Sequence, residues 1–241
     1  MITVSNISLK GLDYRANEAY NNLRTNLQLC GSEVKTVMFT STTPDEGKSS
    51  ISFNLAISLA ESGKRVIFVD ADLRKSVIES RYDISRQKFG LTHFLSGMNK
   101  VEDIISVTDI KQLHMITTGA VPPNPSELLG GERFASLMKA LRESYDYVIV
   151  DTPPVANVTD AVVVAQNCDG IVYVIETGKV SYKLIQRCIG DLKKTKCKIL
   201  GTVLNKVDLQ KDSYYGKYYG KYYGKYYGNY GHHSSEGKED H

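Results

Sequence analysis

Three short stretches hold the side chains whose types and spacing could do chemistry. The first is TTPDEGKS, residues 42–49. A phosphate-binding loop follows G-x-x-x-x-G-K-[ST], because successive backbone N–H groups and the start of the next helix wrap an anionic phosphate. In such a loop Thr43, Pro44, Asp45, Glu46, Gly47, Lys48, Ser49 and Ser50 would surround a nucleotide. Lys48 would reach the β- and γ-phosphates, and Ser49 would offer its hydroxyl to Mg²⁺. Thr42 stands where the pattern asks for its first glycine, so this match alone is imperfect. The second stretch is VIFVDADLRK, residues 66–75. Asp70 and Asp72 lie at i and i+2 and project from one side of an extended chain, where they can address one metal ion or one acceptor proton. The third, YVIVDTPP, ends a different apolar run on Asp151, the position where a phosphate-loop enzyme places its magnesium carboxylate. A lone aspartate reads best as a helix cap or a solvated turn residue. Three such sites in this order point to a nucleoside triphosphate and its magnesium.

The elements needed to position these residues are legible in the apolar pattern. VKTVMFTST, RVIFVDAD, LHMITTG, YDYVIVD, DGIVYVIET and KILGTVLNKVD read as strands. Helices are expected over residues 17–29, 50–62, 125–144, 157–166 and 181–194, with short helices between 75 and 111. Strands alternate with helices, and the strands are continuous apolar runs. The expected fold is α/β: a mainly parallel sheet of the P-loop type, with helices on both faces. Ligands of such sheets bind beyond the carboxyl ends of the strands, which is where all three stretches lie.

Composition sets the outer bounds. A chain of 241 residues, 41% hydrophobic and 24% charged, is ordinary for a soluble globular protein. A net charge of +3 is too close to balance to indicate a nucleic-acid partner. Four cysteines without a CxxC pair are read as reduced thiols and small buried hydrophobes. No secretory leader is recognisable at the N-terminus, and no run approaches the roughly 18 apolar residues of a spanning helix. Membrane association is therefore expected to come through a partner. The five histidines show no ligand spacing.

Residues 214–231 read YYGKYYGKYYGKYYGNYG and carry nine of the sixteen tyrosines: Tyr214, Tyr215, Tyr218, Tyr219, Tyr222, Tyr223, Tyr226, Tyr227 and Tyr230. Paired aromatics, glycine and lysine without one aliphatic side chain cannot offset the backbone entropy of ordering, so a flexible tail is expected. Taken alone it could be a solvated low-complexity segment, a surface that stacks on nucleic-acid bases, or a row of phosphate acceptors.

Together these features resemble the bacterial tyrosine kinases of capsule and exopolysaccharide synthesis, in the form whose cytoplasmic kinase is separate from its membrane activator. The resemblance is carried by TTPDEGKS, VIFVDADLR and YVIVDTPP as the Walker A, A′ and B motifs, by GAVPPNPSELL at residues 119–129, and by the tyrosine-rich end. Septum-positioning and chromosome-partitioning ATPases usually have a second lysine early in the loop, where this chain has Thr43.

The resemblance implies a kinase domain over residues 1–210 and an autophosphorylation tail over 211–241. It implies ATP and Mg²⁺ as cofactors, with Lys48 on the transferring phosphoryl group. Ser49 and Asp151 would hold the metal, Asp70 and Asp72 would assist it and accept the tyrosine proton, and Arg74 could steady phosphate charge. It further implies a membrane-embedded activator, a cognate tyrosine phosphatase, a ring-like homo-oligomer when unphosphorylated, and a cytoplasmic location at the inner face of the plasma membrane.

Two departures stand out. The subunit-contact pattern E-x-x-R-x-x-R keeps Glu18 and Arg24 but has Asn21 at its centre, and an amide cannot pair a carboxylate as a guanidinium fork does. Asp45 stands where relatives usually have glycine, which places negative charge near the phosphates. NKVD, residues 205–208, mimics the guanine-reading NKxD of GTPases, but the resemblance implies ATP and leaves Asn205 as a polar strand exit that could touch a purine. The alternatives are a partitioning-type ATPase with an incidental tail, or a nucleotide-switched scaffold with an RNA-binding tail.

Overall fold

The computed structural model describes residues 2–4, 7, 11–84 and 88–208. The tyrosine cluster and all of 211–241 lie outside the described residues. In chain order the elements are β1 (Ile2–Val4), α1 (Tyr14–Leu29), β2 (Thr36–Ser41), α2 (Lys48–Glu61), β3 (Val66–Asp70), α3 (Ile78–Arg81), α4 (Leu91–Leu95) and α5 (Val101–Ile104). They continue with β4 (Ser106–Thr108), β5 (Leu113–Ile116), α6 (Pro125–Gly130), α7 (Glu132–Ser144), β6 (Tyr147–Asp151), α8 (Asp160–Ala165), β7 (Gly170–Glu176), α9 (Tyr182–Leu192) and β8 (Lys198–Asn205).

The strands form one sheet in the order β1-β4-β5-β3-β6-β2-β7-β8, parallel at every junction except β4 with β5. Every residue of β2, β3 and β6 is buried, as strands covered on both faces must be. Alternate side chains serve opposite faces. Val37, Phe39, Val66, Phe68 and Ile149 pack with Phe53, Leu55 and Leu59 of α2. Met38, Ile67, Val69, Val148 and Val150 meet Phe134, Leu137 and Leu141 of α7 and Val164 of α8.

Helix α2 is apolar on nearly every side, and such a helix must be enclosed. The sheet covers one side and α1 packs against it, so Phe53, Leu55, Ala56 and Leu59 are fully buried. The Asp13 side chain starts α1 by accepting from the N–H of Ala16 at 2.7 Å.

Two expectations need correction. The single helix expected over residues 125–144 is two, because Gly131 takes extended angles (φ −80°, ψ 160°) and ends α6 while beginning α7. The 75–111 segment holds three short helices but also β4, which together with β1 extends the sheet beyond β5.

Candidate phosphate site

Strand order alone assembles the site. The neighbours β3, β6, β2, β7 and β8 bring Asp70, Asp151, the loop after β2, Glu176 and Asn205 to one edge of the sheet. Asp70 and Asp151 are register partners, and Asp151 is also paired with Phe39 near the end of β2.

The loop itself needs two left-handed residues, Asp45 at φ 64° and Gly47 at φ 95°. Aspartate is among the few side chains that enter this region readily. Gly47 has a second constraint, since a Cβ there would stand 2.0 Å from Asn205 Nδ2. That amide donates to the Glu46 carbonyl at 2.9 Å, so Asn205 buttresses the phosphate loop. Gly47 gives α2 no side-chain cap. The first N–H groups of a helix of 14 residues are thus left without a capping side chain at the place where the phosphate pattern puts an anion.

Lys48 is buried among the carboxylates, with Nζ 3.0 Å from Ser49 Oγ, 3.2 Å from Asp72 Oδ2 and 3.4 Å from Asp151 Oδ2. Burial pulls its pKa down, but Asp151, Asp72 and Asp70 outweigh burial and the net shift is upward, so the ammonium is held charged. One cation faces three carboxylates, and the excess negative charge shows in the acids. Burial raises Asp151 against the opposing pull of Lys48 and Ser49. Burial, reinforced by Asp151, pushes Asp70 up to about 8, although Ser76 and Lys48 oppose it. Asp70 accepts from the Ser76 hydroxyl and from the N–H of Asp72, while Asp72 Oδ1 accepts from the N–H of Lys75.

Asp151 Oδ1 is buried with no partner. An orphaned carboxylate oxygen within an uncompensated anionic cluster, with the Ser49 hydroxyl at hand, fits a hard divalent cation. The described residues hold no group of three Asp, Glu, His or Cys that could cage a metal ion by itself. Asp70, Asp72 and Asp151 therefore do not make a closed ligand set by themselves.

The remaining expected residues fall elsewhere. The Arg74 guanidinium is bonded to Asp160, with Nε 2.7 Å from Oδ2 and a terminal nitrogen 3.0 Å from Oδ1, and also reaches Ser126 Oγ at 3.2 Å. Asp160 is wholly buried at the start of α8. Arg74 is thus committed to a clasp joining the β3 loop, α6 and α8 rather than to the Lys48 cluster. The residues from the subunit-contact pattern are engaged within the chain: Asn21 donates to Glu18 at 3.1 Å, and Arg24 bonds the Ser58 carbonyl and hydroxyl of α2 at 3.0 and 2.8 Å. Sequence reasoning missed Asp160, whose partner lies 86 residues away. It also missed the inward turn of the Glu46 carboxylate. The small TDA turn before an apolar run was the available signal for Asp160, since it reads as a helix start.

The parallel sheet, the uncapped α2 and the buried lysine define a P-loop NTPase-like domain. Residues 34–205 match the model of a family described as an AAA domain. The tyrosine-protein kinase CpsD of Streptococcus agalactiae is 37% identical over 208 residues, 84% of this chain and 91% of the relative. The solved kinase domain of the Escherichia coli tyrosine kinase ETK superposes with a TM-score of 0.76 at 36% identity, covering 80% of this chain and 76% of that one. The chimerical protein CapA2B2 gives a TM-score of 0.78 at 31% identity, with 86% and 94% covered. The chain belongs to the bacterial tyrosine-protein kinase family.

Proposed function

We propose that this kinase transfers the γ-phosphoryl group of ATP to tyrosines of its own C-terminal cluster, Tyr214, Tyr215, Tyr218, Tyr219, Tyr222, Tyr223, Tyr226, Tyr227 and Tyr230, between subunits of a homo-oligomer. The observation that carries this reading is Lys48, buried and held charged beside the uncapped start of α2. The cluster of phenols in the same chain supplies the acceptors. Residues 43–50 hold the phosphates, with Lys48 stabilising the charge that develops on the phosphoryl group. Magnesium, held by Ser49 and Asp151, would offset charge on the phosphate oxygens.

A phenol has a pKa near 10, and the best-matched base is one whose proton affinity is raised toward it. Asp70, at about 8, meets that condition better than an ordinary carboxylate. Asp72, ion-paired to Lys48, keeps the lysine oriented. Arg74 acts on the phosphates only through the loop it anchors, and Asn205 acts on the nucleotide through the Glu46 carbonyl.

The kinase domain extends over residues 1–210 and the acceptor tail over 211–241. The phosphorylation state of the tail, reset by a tyrosine phosphatase, regulates capsular or exopolysaccharide synthesis and export. Each phosphate adds about −1.5 to −2 charges, enough for several to turn a slightly basic tail acidic and loosen the oligomer, with Glu18 and Arg24 at the subunit contact. No described helix is long and apolar enough to cross a membrane. Attachment to the inner face of the plasma membrane runs, in this reading, through a membrane-embedded activator.

Phosphotyrosine mapping after incubation with ATP and Mg²⁺, with and without membranes from a polysaccharide-producing host, tests the reading. Phosphate on Tyr214–Tyr230 that disappears in Lys48→Met is the expected result. ATP hydrolysis without phosphotyrosine in either condition would replace it with a partitioning-type ATPase.

A further inference from the structure

The Glu46 side chain lies inside the phosphate loop and is turned toward the loop's own start and the end of β7. It is fully buried. Its Oε1 accepts from the backbone N–H of Thr43 and, at 3.0 Å, from the Thr43 hydroxyl. Its Oε2 accepts from the N–H of Glu176 at 3.0 Å, at the end of β7. Both oxygens are therefore spent on donors of the loop's own start and of the neighbouring strand, and no part of the carboxylate is open to a ligand.

Its place in the chain explains why such a fixing is needed. Glu46 is bracketed by the two left-handed residues, Asp45 and Gly47. An aspartate enters that region more readily than most side chains, yet a turn with left-handed residues on both sides of Glu46 still relies on its surroundings to hold it. The surroundings here converge on one turn. Beside the Glu176 N–H, Lys179 Nζ reaches the Pro44 carbonyl at 2.8 Å and the Glu176 carboxylate at 3.1 Å.

We infer that Glu46 is a positioning residue for nucleotide binding: its carboxylate bolts the phosphate loop to the turn at residues 176–179 and holds the loop's N–H groups pointed at the phosphates before nucleotide arrives. The inference rests on the nucleotide reading of the site. It makes that turn a lever on nucleotide affinity, although none of its side chains need touch the nucleotide.

Glu46→Gln is the discriminating change, because it keeps the shape and sets an NH₂ against one of three donors. A buried donor left unpaired forfeits its compensation. The full chain is titrated with Mg-ADP by calorimetry, and turnover is measured at saturating ATP. Glu46→Gln should weaken Mg-ADP binding by about tenfold to a hundredfold, a larger loss than the one it causes in turnover at saturating ATP, since a loop once closed by its ligand presents Lys48 as before. Lys179→Ala should shift affinity in the same direction by about two- to fivefold. Should Glu46→Gln fail to fold by circular dichroism, Thr43→Val, which removes only the hydroxyl bond, replaces it with an expected loss of about two- to fivefold.

A variant that binds Mg-ADP as the wild type does, or that loses turnover rather than affinity, overturns the inference alone. A merely structural role would lower the melting temperature and leave the dissociation constant unmoved, and that result too overturns it. Failure of the wild type itself to bind Mg-ADP would remove the nucleotide reading and this inference together.

Discussion

Two aspartates at opposite ends of the sheet make an instructive pair. Asp169, at the amino end of β7, accepts from the N–H groups of Lys35 and Thr36 at 3.0 and 2.8 Å and from Arg142 Nε at 3.1 and 3.0 Å through both oxygens. Arg142 also donates to the Glu33 carbonyl at 2.9 Å. Every bond there ties chain segments together. Asp151, at the carboxyl end of β6, shares Lys48 with Asp72 and keeps one buried oxygen without a partner. Both are acidic residues at strand ends, yet one is saturated and the other is held short of its bonds. In this pair the saturated carboxylate serves the fold, and the one with a buried deficit lies where the phosphate site would take its ligand.

The sharpest way to break this distinction is Lys48→Met, which removes the positive charge that the three site carboxylates face. Phosphotransfer should fall by about a thousandfold or more, read as phosphotyrosine formed per minute at fixed ATP. Next is a matched pair of substitutions. Asp151→Asn should cost about a hundredfold in turnover while the nucleotide-free protein melts no lower than wild type, because a buried and under-compensated charge has been removed. Asp169→Asn should do the reverse, lowering stability by about 1 to 3 kcal/mol in denaturant titration with turnover nearly unchanged. If both substitutions lower stability alike, the two aspartates do not differ as described.

Asp70 sharpens the same contrast through pH. Its folded-state pKa of about 8 lies above its ordinary value of 3.8, so its contribution to stability is fully present below about pH 4. Above that, the unfolded chain gives up a proton that the folded chain retains, and stability is lost as pH rises until about 8. Denaturation midpoints of the nucleotide-free protein should decline across that window, and Asp70→Asn should flatten the decline. Turnover should run the other way, rising with pH as the base is freed, and Asp70→Asn should remove that rise. The smallest effect belongs to Arg74→Lys. An ammonium cannot reproduce the fork on Asp160, so turnover should fall by about three- to tenfold with the dissociation constant for Mg-ADP unchanged.

The contrast also shows what could be read from the chain before its structure. Lys48, Asp70, Asp72 and Asp151 are each placed by local pattern, an apolar run followed by a turn, and parallel topology alone then brings strand ends together. The strands ITV and SVT escaped because three residues carry no measurable alternation. The break between α6 and α7 was hidden because the apolar pattern runs on through GG. Asp160 and the inward-turned Glu46 depend on partners 86 and 130 residues away, and no window along the chain contains both members of either pair. What binds locally was legible, and what is held by distant segments was not.

The grip of Asn205 on the Glu46 carbonyl joins positions 159 residues apart. The phosphate loop is made early in synthesis, yet the bond that finishes it needs the last residue of the last described strand. A chain growing from its N-terminus folds in units as they emerge, and contacts of such long sequence separation form late and slowly. The nascent kinase therefore completes its phosphate loop only after residue 205 has been added, and a chain truncated before that strand would carry every catalytic side chain named here and still lack a finished site.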